Sequence, residues 1–188
     1  MATTTLDRPQ CAPSSSPWPA RSTIAGAVLT FVLGILLAPF QAEMPWWIAA
    51  LNAISHLLLL VGIVELGRAG IAGHSRLATA GLWLTVGGLA VLTVAEGVTQ
   101  INTDVAVAFY STATIALILG LNLLGVAVLR AGRWVGWYRF TPLACGLFML
   151  LVVFPALFLP SYAPNYAIGA WGVCWLLFGL ALRVESAG

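Results

Sequence analysis

The sequence predicts an all-α integral membrane protein, a six-transmembrane-helix bundle running mostly up and down, with signs of three repeated helical hairpins. Three observations predict it. Of the 188 residues, 61% are hydrophobic and 7% charged, whereas a soluble domain carries about 25% charged residues. Six stretches come close to the roughly 20 apolar residues that cross a bilayer. Finally, every arginine falls on one side of the topology those stretches imply.

The first 21 residues, "MATTTLDRPQCAPSSSPWPAR", are rich in Pro, Ser and Thr and read as a disordered tail. Residues 22–40 form the first span. A tail precedes this span, and Phe40 stands where a small residue should precede cleavage at Ala42, so an uncleaved helix is expected rather than a signal peptide. The second span, 46–66, carries Asn52, His56 and Glu65, and the third, 77–97, carries Glu96 near its end. The fourth covers 106–129. The fifth, 140–160, contains Pro155, which should kink it. The sixth covers 164–183, and 184–188 are a short C-terminal tail. Connections at about 41–45, 67–76, 98–105, 130–139 and 161–163 are short, which sets consecutive helices antiparallel.

All eight basic residues are arginine, as GC-rich bacterial codon usage produces. Arg8, Arg21, Arg68, Arg76, Arg130, Arg133, Arg139 and Arg183 share one side, while Glu43, Glu96 and Asp104 occupy the other. The positive-inside rule makes the arginine side cytoplasmic. The expected location is therefore the plasma membrane of a bacterium, with both termini inside. Five or seven spans would spoil the segregation. Aromatic residues at both ends, Trp46, Trp47, Tyr162 and Tyr166 opposite Trp134, Trp137 and Tyr138, read as interfacial belts.

The even spans end in "LVGIVELGRAG", "LLGVAVLRAGR" and "LFGLALRVESAG", which align on Gly62, Gly125 and Gly179. Three hairpins of one ancestry would produce this, and so would chance alignment of apolar sequence. In that alignment His56 stands opposite Leu119 and Val173, so its polarity is a local departure.

His56 lies near the middle of its span, and ionisable residues at that depth are expensive and usually functional. Asn52 shares its helical face one turn earlier. A neutral imidazole bonded to a neighbouring carbonyl or hydroxyl would also account for His56. Glu65, half a turn round the helix from His56, reads as an interfacial partner for Arg68. The most polar membrane stretch, "TVAEGVTQINTDVAVAFYSTAT", holds Glu96, Gln100, Tyr110, Ser111 and Thr114, with Asn122 deeper on the fourth span. It reads either as an outward-facing cavity with a working carboxylate or as an ordinary polar turn.

Cys11, Cys145 and Cys174 have no metal-ligand spacing. No cofactor is expected, because His74, the other histidine, is in a loop and no nucleotide or hydrolase motif occurs. No basic run suggests nucleic acid. Three functional classes remain. The first is a membrane-embedded enzyme or binder for a lipophilic molecule such as an isoprenoid or lipid. There Glu96 would be acid or base, His56 and Asn52 would orient the substrate, and Gln100, Tyr110, Ser111, Thr114 and Asn122 would contribute to binding. The second is a small transporter or channel. The third is a structural or assembly subunit. Beyond the lipid bilayer, expected partners are that lipophile, further copies of the chain, or a larger membrane complex.

Overall fold

The computed structural model describes residues 17–36, 45–159 and 163–185. Most of the N-terminal tail, Cys11, Glu43, Tyr162 and the last three residues lie outside them. Among the described residues there is no strand. The helices are α1 (Trp18–Leu36), α2 (Trp46–Arg68), α3 (Arg76–Thr99), α4 (Thr103–Ala131), α5 (Thr141–Phe148), α6 (Phe154–Ala156) and α7 (Ala163–Glu185). A 3₁₀ turn, Gly136–Phe140, leads into α5, and a π turn, Met149–Val153, joins α5 to α6. Taken together, 136–156 form one span, so among the described residues six helical spans are long and apolar enough to cross a membrane. The chain is a multi-pass membrane protein with an all-α bundle fold.

The spans begin and end where local chemistry permits. Residues 18–21, expected in the tail, are helical. Pro19 sits in the first turn of α1, where a missing N–H costs nothing, and the Arg21 N–H reaches the Pro17 carbonyl at 3.1 Å. Ser75 caps α3 by accepting the Ala78 N–H at 3.1 Å, and Asn102 caps α4 by accepting that of Val105 at 3.1 Å. Gly132 ends α4 in the left-handed conformation, φ 62°. The expected kink at Pro155 takes the form of the π turn. Proline has no N–H to bond and its ring crowds the carbonyl four residues back, and the helix widens just before it, with the Phe154 N–H reaching back to the Met149 carbonyl.

Packing follows chain order round a ring, α1–α2–α3–α4–α5–α7, closed by α7 against α1. Neighbours are antiparallel, with Gly34 against Gly169, Phe31 against Gly172 and Ile24 against Gly179 along the closing seam. Small residues allow the close approach, as is usual between helices in lipid. A Cβ on Gly125 would fall 2.5 Å from the Leu143 backbone, and one on Gly81 2.6 Å from the Leu124 nitrogen. The arginine-bearing ends gather at one end of the ring, where the Arg133 guanidinium donates to the Gly70 carbonyl at 2.6 Å and ties two connections together.

Candidate functional site

The other end of the ring holds a cavity of about 670 Å³, within the range of small-molecule sites. Its walls are mostly apolar, with polar groups gathered on α2, α3 and α4. Asn52, Ser55 and His56 come from α2, Glu96 and Thr99 from α3, and Tyr110, Ser111 and Thr114 from α4. His56 is the eleventh residue of the 23-residue α2, hence near mid-span, whereas Glu96 is three residues from the end of α3.

The polar wall is connected. Tyr110 on α4 and Asn52 on α2 stand beside the Glu96 carboxyl on α3. The Thr99 and Tyr110 hydroxyls are 3.2 Å apart, and the Thr99 hydroxyl donates to the Ala95 carbonyl at 2.8 Å. The Ser55 hydroxyl donates to the Asn52 carbonyl at 2.7 Å. Two atoms are left over. Glu96 Oε2 and His56 Nδ1 are buried with no hydrogen-bond partner, in residues only 4% and 8% exposed. Unpartnered polar atoms at such burial are costly and call for an explanation.

The cavity is closed towards the arginine end. One turn beyond its floor, the same helices supply Leu59 (after Ser55 and His56), Leu89 (beyond Leu92), Leu117 (beyond Thr114) and Trp175 (beyond Trp171), all fully buried. On its flank the cavity lining reaches the perimeter of the bundle. Its lining includes Val107, Ser111 and Ile115 on the exposed edge of α4, and Phe154, Leu157 and Phe158 on the exposed edge of α6 and the residues after it. Whereas α4 packs tightly on α5 through Gly125 and Gly146, α6 packs on the π turn and α7 and hardly touches α4. Above the π turn the two spans hardly touch, and the cavity lining reaches exposed residues of both. The Trp171 indole N–H, donating to the Cys145 carbonyl at 3.0 Å, holds α7 to α5 immediately below that turn.

Of the eight site residues expected from sequence, six line this cavity: Asn52, His56, Glu96, Tyr110, Ser111 and Thr114. The other two do not. Gln100 is the C-cap of α3, since the helix stops at Thr99 rather than carrying it onto the Glu96 face. Asn122 lies in the packed half, where its side-chain amide donates to the Ile118 carbonyl at 2.8 Å and packs against Gly146. Glu65 is half-buried at the arginine end, away from the cavity. Sequence reasoning missed Thr30 on α1 and Asn165 and Trp171 on α7, which complete the wall. Trp171 carried a signal, because it stands mid-span, off both interfacial belts. No group of three or more His, Cys, Asp or Glu able to hold a metal occurs among the described residues.

The chain matches no known protein family, no curated protein and no solved structure. What can be said of its function comes from the cavity.

Proposed function

We propose that this is a membrane-embedded binder or enzyme for a lipophilic small molecule, which enters the cavity sideways from the bilayer. One observation carries the proposal. The lining of a largely apolar cavity runs out to exposed residues on both α4 and α6, which hardly touch, and includes Glu96 and His56, each with a buried polar atom that lacks a partner. An apolar tail would lie between α4 and α6 and a polar head would meet those two atoms. If the protein is an enzyme, Glu96 is its general acid or base, with His56 and Asn52 orienting the head. Positive-inside orientation puts the arginine end in the cytoplasm of a bacterial cell and the cavity in the outer half of the plasma membrane.

A transporter has less support, because the buried layer of Leu59, Leu89, Leu117 and Trp175 leaves no polar route to the arginine end. The test is retention of a radiolabelled long-chain lipophile by the protein in lipid nanodiscs. Ser111→Trp, which obstructs entry between α4 and α6, should lower retention severalfold, whereas Val173→Trp on the exposed face of α7 should not. Equal retention by both variants would overturn lateral entry. Once a reaction is assigned, full activity in both Glu96→Gln and His56→Ala would remove their chemical role.

A further inference from the structure

The chemistry of the cavity narrows what its occupant can carry as a head group. Glu96 is the one acidic residue among its described lining residues, and no arginine is there. The sequence has no Arg or Lys at all in 22–67, 77–129 or 140–182, so every segment at this end of the ring lacks a cation. A phosphate or carboxylate head would enter an apolar cavity next to a carboxyl with no guanidinium or ammonium to meet it, and buried anions need such partners.

The unmet groups have the opposite preference. Glu96 Oε2 has no partner, and in the ionised carboxylate it is an acceptor without a donor. His56 Nδ1, one turn below Asn52, is likewise unmatched and in a neutral imidazole can accept. An ammonium offers three donors and one positive charge, and the aromatic residues Trp171 and Tyr110 belong to the same wall. We infer that the occupant is a lipophilic amine, its ammonium held between Glu96 and His56 and its chain leaving between α4 and α6 beside Ile115 and Leu157. This rests on the lipophile-binding proposal above and specifies its head group.

The experiment is retention of radiolabelled dodecylamine by the full chain in nanodiscs, above that of empty discs, with competition by dodecanol and by dodecyl phosphate. Wild-type protein should retain the amine, dodecanol should compete about tenfold more weakly because it forgoes a charge-assisted hydrogen bond, and dodecyl phosphate should not compete. Glu96→Gln, checked for an unchanged melting temperature, should lose about tenfold in amine affinity. The competition series needs no variant, so misfolding of Glu96→Gln would leave the test intact. Competition by the alcohol or the phosphate as strong as by unlabelled amine, with retention still sensitive to Ser111→Trp, overturns the head-group inference and spares lateral binding. Amine retention no greater than that of empty discs overturns the head-group inference, and amine retention unaffected by Ser111→Trp overturns lateral entry as well.

Discussion

The two halves of this bundle are built from the same helices and differ in almost everything else. In the arginine-side half, α4 and α5 touch backbone to backbone at Gly125 and Gly146, and Leu59, Leu121, Trp175 and Phe178 form a dry core. Trp175 packs edge-on against Trp171 and Phe178, with ring centroids 5.4 and 5.6 Å apart. In the other half the helices stand around a 670 Å³ cavity whose wall leaves a carboxyl oxygen and an imidazole nitrogen unpartnered, where the packed half, among the described residues, leaves only the Trp134 and Trp175 indole nitrogens. The switch lies at the π turn and Pro155, where the fifth span stops following α4. Under the proposed function, packing and binding are divided along the bundle axis, and a bound molecule rather than a side chain fills the second half.

Substitutions can break this comparison. Trp175→Ala should cost the most, about 3–5 kcal/mol, because it empties a site the packed half cannot collapse into. Unfolding in mixed micelles measures it, with Leu157→Ala on the cavity flank as the counterpart, expected within about 0.5 kcal/mol of wild type. Similar losses at both positions would show the halves to be alike. Gly125→Leu should follow, costing about 2 kcal/mol as its side chain drives α4 from the Leu143 backbone. If it unfolds at the same denaturant concentration as wild type, the close approach of α4 and α5 does not hold that half together.

The smallest effect sharpens the contrast. Glu96→Leu replaces a buried carboxyl that has one oxygen unmet, so unfolding free energy should stay level or rise by up to about 1 kcal/mol. The same variant should lose lipophile retention. A marked fall in stability would mean that Glu96 is held for packing rather than for a ligand.

Much of the fold was legible before any coordinates, and for physical reasons. Span length follows from bilayer thickness, and the one-sided arginines fixed the number of crossings by parity. Polarity in conflict with depth picks out His56 and Glu96, which the structure places in the lining of one cavity. Sequence alone falls short where helix limits or neighbours decide. Gln100 would share the Glu96 face only if the helix ran past it, and α3 stops at Thr99. Asn122 follows the stripe of Ser111 and Thr114, but the span beside it closes in at Gly146. Thr30 was hidden because a threonine that bonds the carbonyl one turn back, here Gly26 at 2.9 Å, is ordinary in an apolar helix. The loose contact between α4 and α6 has no local sequence mark except Pro155, and a proline kink by itself does not say which neighbour is lost.

Lateral entry is tested most directly by photolabelling. A long-chain amine with a diazirine in its chain, activated in nanodiscs with the full protein, should mark peptides containing Ser111 and Ile115 on α4 and Leu157 and Phe158 beyond α6, well above the rest of the perimeter. Labelling spread evenly around all six spans, or concentrated on the exposed faces of α3 and α7, would contradict it.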